Sequence, residues 1–155
     1  MRTAALLFAA TLVACSTKDA SKTDSAAGTV AANTPAAPAP LTAADVAGTW
    51  TGTSKTAGTD SIINHWTSMR ETDNAGKLVS DNSKDTISYT VVYDADSMIA
   101  TSKPFTTIAA PKTKVVFVSV GRLKDGKLVG TSTTMLAAKP DSVLSRSTWE
   151  ATRKP

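Results

Sequence analysis

The chain is expected to fold as an all-β domain of about eight antiparallel strands, closed into an up-and-down barrel, with a small β-sandwich as the alternative. Three observations point there. Thr, Ser, Ala and Val dominate the 155 residues, and Glu occurs only at Glu71 and Glu150, whereas long helices carry Glu, Leu, Lys and Arg in number. From Thr49 onwards, polar and apolar side chains alternate with a period of two. The alternating stretches are short, and turns bearing Asp, Asn and Gly separate them.

The first residues read as an address. Met1-Arg2 supplies a minimal positive start, and Ala4 to Ala10 form an apolar run that Leu12-Val13-Ala14 continues. The run is shorter than the roughly 20 apolar residues that span a bilayer, and it suits a secretory signal. Residues 1–14 are therefore expected to be a signal peptide. Leu12-Val13-Ala14-Cys15 resembles the lipobox of bacterial lipoproteins, where the cysteine thiol takes up diacylglycerol and cleavage leaves that cysteine first. The resemblance implies lipidation of Cys15 and a durable membrane anchor, because each buried methylene contributes about 0.8 kcal/mol. An ordinary cleavage near Ala14, leaving a free thiol, is the alternative. Cys15 is the one cysteine, so no intrachain disulfide is available. Ser16 follows it. By resemblance to sorting in double-membrane bacteria, that residue points to the outer membrane of the cell envelope.

Residues 15–40 then form a spacer of Ser, Thr, Ala, Lys, Asp and Pro, ending in Thr34-Pro35-Ala36-Ala37-Pro38-Ala39-Pro40. Such a composition cannot build a core, so a disordered tether is expected. The folded domain is expected over residues 41–155.

Within it, Leu41 to Gly48 predicts one helical turn, with Thr42 as N-cap, Asp45 completing a capping box and Gly48 as the stop. Strands follow over Thr49 to Ser54 and Ile62 to Thr72, the latter closed by the turn Asp73-Asn74-Ala75-Gly76. Lys77 to Ser80 is a short strand before the polar loop Asp81 to Asp85. Ile87, Tyr89, Val91 and Tyr93 share one face of the next strand. Asp94-Ala95-Asp96-Ser97 turns into a strand from Met98 to Thr107, which Pro104 confines to an edge or a bulge.

The clearest hairpin joins Lys114 to Leu123 with Lys127 to Leu136 through Asp125-Gly126, a pair that favours a type I′ turn. Its register sets Leu123 against Leu128, Gly121 against Gly130 and Ser119 against Ser132 on one face. Val120 against Thr131 and Val118 against Thr133 form the other. Val116, Val118 and Val120 make this strand apolar on both sides, with the neighbouring threonines as the expected cover. Ala137 to Asp141 is a loop, and Val143 to Thr152 is the last strand.

Leu41 to Trp50, a helical turn followed by Gly48-Thr49-Trp50, resembles the opening of lipocalins and their Gly-x-Trp motif. The resemblance implies an eight-stranded barrel whose closed end is plugged by Trp50. It also implies that a basic residue, here Arg153, packs over that ring as a cation–π contact.

Chemistry is sparse. His65 is the only histidine, without a nucleophile elbow or a second ligand beside it, so no catalytic residue and no zinc site is assigned. Asp81, Asn82 and Asp85, and separately Asp94 and Asp96, stand where turns require such residues. No metal or other cofactor is expected. Basic side chains are scattered in a chain of net charge +4, which speaks against nucleic acid. The expected activity is a non-catalytic binding or interaction domain on an envelope lipoprotein. The alternative is a lipocalin-like carrier of a small apolar ligand, and an enzyme comes last. Expected partners are the membrane, through the anchor, and a protein or a small apolar ligand. The expected ligand-binding residues are Trp50, Tyr89, Tyr93, Phe117 and Trp149. The inward set is expected to be Leu123, Leu128, Val115, Phe117 and Leu136, around an interior mostly filled by Trp50, Tyr89 and Tyr93.

Overall fold

Alternation of side chains produces nine strands among the described residues, 39–155 of a computed structural model. They are β1 (Thr49–Thr56), β2 (Ile62–Thr72), β3 (Ala75–Ser80), β4 (Ile87–Asp94), β5 (Ser97–Ser102), β6 (Phe105–Thr106), β7 (Lys114–Lys124), β8 (Lys127–Leu136) and β9 (Lys139–Arg153). The expected signal peptide, Cys15 and nearly all of the expected spacer lie outside the described residues. Each long strand pairs antiparallel with its neighbours in sequence, β1 pairs with β9, and β5 pairs with β7. Eight strands thus close an up-and-down barrel with β6 as an addition, and the sandwich alternative falls. Closure gives each of the eight barrel strands a neighbour on both sides.

The β7–β8 hairpin shows Leu123↔Leu128, Gly121↔Gly130, Ser119↔Ser132, Val120↔Thr131 and Val118↔Thr133 in register. Asp125 and Gly126 both have positive φ, 51° and 76°, as a type I′ turn demands. On the outer face Val116 and Val118 are half-buried, and Val120 is exposed.

Several boundaries differ from expectation for local reasons. The strand expected over Met98 to Thr107 is two pieces, β5 and β6, both laid along β7. Pro104 has no N–H for the ladder and interrupts it. The β2–β3 turn is shorter than expected, because Ala75 and Gly76 pair with Thr90 and Tyr89 of β4. The loop before β9 shrinks to Ala137-Ala138, with Leu136 facing Lys139; register shifts around Met135 absorb the irregularity next to Pro140.

One end of the barrel is closed. A single 3-10 turn, Ala44–Val46, lies there, and Val46 is fully buried. Its N-cap is Ala43 rather than Thr42; the Thr42 N–H donates to the Asp45 carboxylate at 2.9 Å, as in a capping box, while the Thr42 hydroxyl donates to the same carboxylate at 2.6 Å instead of accepting from the backbone. Trp50 packs against the turn and donates Nε1–H to the Val46 carbonyl at 3.1 Å. Arg153 covers the same ring, its guanidinium carbon 4.8 Å from the centroid. It also donates to the carbonyls of Ala47 and Asp45 at 2.8 and 2.6 Å. Leu41 N–H donates to Ala95 O at 2.8 Å, tying the entering chain to the β4–β5 turn.

Val115 and Leu128 are buried and Phe117 and Leu136 half-buried, but Leu123 is 39% exposed. The cause is strand stagger. Pairing of β5 with β7 ends at Ser97↔Arg122, so Leu123 has no neighbour on that side, whereas Leu128 is flanked by Ala151 of β9.

Candidate functional site

The barrel interior is hollow. A cavity of about 240 Å3 runs from the floor formed by Trp50, Arg70, Met98 and Leu128 to a mouth bordered by Ile63, Asn82, Phe105 and Thr107. The expectation of a mostly filled interior is therefore corrected, and the reason is a pattern of glycines.

Each of three inward aromatic rings stands directly across a strand pair from a glycine: Trp66 from Gly52, Tyr89 from Gly76, and Trp149 from Gly130. The rings lie against the wall where the glycine leaves no side chain. A Cβ on Gly52 would overlap Trp66, one on Gly76 would overlap Tyr89, and one on Gly121 or Gly130 would overlap Trp149. Trp66 and Trp149 then meet edge to face, 5.9 Å between centroids. Aromatic mass that would otherwise fill the lumen becomes its lining.

The remaining wall is divided by chemistry. Ser119, Ser132 and Ser147 stand in register on β7, β8 and β9, with Thr134 and Ser145 as the next pair towards the mouth. Ser119 donates to Ser132 at 2.8 Å. Leu78, Ile87, Ala100 and Phe117 give the apolar part of the lining. Trp66 Nε1–H donates to Ser54 Oγ at 3.1 Å, and Ser68 and Tyr89 share a hydroxyl–hydroxyl bond of 2.6 Å. Trp149 Nε1, on a side chain 8% exposed, is buried without a partner in the protein.

Of the residues expected to bind ligand, Trp50, Tyr89, Phe117 and Trp149 line this cavity, and Tyr93 does not. Tyr93 shares the inward face of β4 and pairs with Met98 of the floor, but it does not reach the lumen. Its hydroxyl accepts from Arg70 Nη1 at 3.2 Å and donates to Asp73 O at 3.2 Å. Partial burial raises its phenol pKa above the ordinary value, against the opposing pull of the Arg70 charge.

Sequence reasoning did not single out Trp66 or Arg70. The signal was present, since Asn64, Trp66, Ser68 and Arg70 alternate along β2 and all four line the cavity. His65, on the opposite face of β2, is exposed, its Nδ1 3.3 Å from Asp81 Oδ2. Asn82 Nδ2 donates to Ile63 O of β2 at 3.1 Å, and Asp96 accepts from Ser97 at 2.9 Å and pairs with Arg122 at 3.8 Å.

Compared with known protein families and with curated proteins, the chain matches none.

Proposed function

We propose that this chain is a membrane-anchored envelope lipoprotein whose barrel holds a small, largely apolar molecule in its lumen without transforming it. The observation that carries the reading is the cavity of about 240 Å3, lined by three tryptophans, apolar side chains and hydroxyls. A domain of this size gains stability from every buried side chain, so a retained hollow is a cost that ligand binding accounts for. Its volume lies just under the range of drug-sized sites, roughly 300 to 1,000 Å3, which suits a small occupant. Among the described residues, those lining the lumen include no His, Asp, Glu or Lys, which favours holding over acid–base chemistry. The anchor rests on Leu12-Val13-Ala14-Cys15 and on the spacer to Pro40.

All three tryptophans of the chain line the lumen, so their emission reports its occupancy. Titration with the neutral apolar fluorophore N-phenyl-1-naphthylamine is expected to quench tryptophan emission saturably at one probe per chain. A linear, non-saturating response refutes the carrier reading.

A further inference from the structure

We propose that the floor of the lumen is an anion subsite, and that the ligand is a short amphipathic carboxylate bound head-down on Arg70. The proposal rests on the reading of the lumen as a ligand site and names the chemistry of its occupant.

Arg70 is the one charged side chain lining the cavity among the described residues. It takes part in none of the ion pairs found there, all of which involve other residues. Its partners are neutral. Nη1 donates to the Tyr93 hydroxyl at 3.2 Å, Nη2 reaches Met98 Sδ at 3.3 Å, and the guanidinium stands 5.8 Å from the centroid of Tyr89. A thioether is a weak acceptor, and a guanidinium carries five N–H donors in a planar fork. Most of the hydrogen-bonding capacity of Arg70 is thus unspent on strong acceptors.

Arg153, at the same end of the barrel, shows what a structural arginine looks like here. It stacks on Trp50 and donates to two backbone carbonyls, and it does not line the lumen. Arg70 also stands near a ring, that of Tyr89, but it lines the lumen and its hydrogen bonds go to side chains rather than to backbone carbonyls. A half-buried cation with no carboxylate at salt-bridge distance is costly, and an entering carboxylate offsets that cost with charge-assisted, fork-matched hydrogen bonds. Tyr89 and Ser68, hydrogen-bonded to each other on the lumen wall, add hydroxyls at the same level.

The rest of the lumen fits a tail. Leu78, Ile87, Ala100 and Phe117 lie between the floor and the mouth. At about 240 Å3 the cavity falls below the range of drug-sized sites, roughly 300 to 1,000 Å3, which matches a chain of medium length rather than a long acyl chain.

Octanoate and octanol test this, because they share a tail and differ in the head. The chain from Met1 to Pro155, produced without acylation, is titrated with each at neutral pH while tryptophan emission is followed. Octanoate is expected to bind at least about tenfold more tightly than octanol, the effect of one charge-assisted hydrogen bond. Arg70→Gln should remove that preference. Arg70→Lys, which keeps the charge and loses the fork, should retain part of it. Equal binding of the two ligands, tighter octanol binding, or an unchanged preference in Arg70→Gln overturns the subsite. Binding of N-phenyl-1-naphthylamine and octanol but not octanoate overturns it while sparing the carrier reading. Silence with all three ligands removes both. Should Arg70→Gln fail to fold, the wild-type ratio of octanoate to octanol decides.

Discussion

Trp149 stands directly across the β8–β9 pair from Gly130, and its indole occupies the space that a side chain on Gly130 would need. A Cβ there would also collide with the backbone carbonyl of Val120, which cannot rotate away. Gly130→Ala is therefore expected to lower stability by about 2 kcal/mol or more, through overpacking against both groups. Thr131→Ala, on the next residue and the outer face, should stay within about 0.5 kcal/mol. Denaturant unfolding of the two variants measures the difference, and equal midpoints would contradict the wall geometry.

Arg153 closes the floor by stacking and by two hydrogen bonds to the 3-10 turn. The side chain is largely exposed, so solvent screening limits its worth. Arg153→Ala should cost about 1–2 kcal/mol and lower the thermal midpoint by several degrees. A midpoint identical to wild type would mean that the stack contributes nothing.

Acid should loosen the same end. Hydrogen bonds from the Thr42 hydroxyl and N–H hold the Asp45 carboxyl below the ordinary aspartate value. Hydrogen bonding to Lys127, then its charge, does the same for Glu150. A folded-state pKa below the unfolded one gives stability that is present above the unfolded value, about 4, and is lost as pH falls through the folded value. Asp45→Asn should therefore melt below wild type at pH 7, with the gap closing as pH falls below about 4. A gap independent of pH would show that the carboxylate charge is not what matters.

Filling the lumen should abolish binding without unfolding the barrel. Ala100 lines the cavity opposite Ser119 on β7. Ala100→Phe is expected to weaken N-phenyl-1-naphthylamine binding by at least about tenfold, while the circular dichroism spectrum stays that of a β-barrel. Full retention of binding would place the probe somewhere other than the lumen.

The anchor has its own test. Cys15→Ser should abolish labelling by fatty-acid precursors and release the protein from membranes. A wild-type chain that is unlabelled and fractionates as soluble would sink the lipoprotein reading.

What was legible in the sequence was whatever depends on near neighbours. Alternation along Lys114 to Leu123 and Lys127 to Leu136, with Asp125-Gly126 between, determines both the hairpin and its register, because the turn type sets which residues face each other. Gly48-Thr49-Trp50 marked the plugged end by resemblance, and Arg153 does lie over that tryptophan. Closure was a different matter. The pairing of β1 with β9 joins residues about a hundred positions apart, and period-two patterning suits a sandwich as well as a barrel. Only the assembled sheet decides whether the ring closes. The hollow lumen likewise depends on glycine–aromatic pairs such as Gly52 with Trp66 and Gly130 with Trp149, brought together by three separate strand pairings. Aromatics are scarce, at 5% of residues, and the expectation of a filled core rested on how little core a domain of this size can give up. Where each ring lies, flat on a wall or out in the lumen, is set by the residue across from it, and that partner is a fact of register rather than of composition.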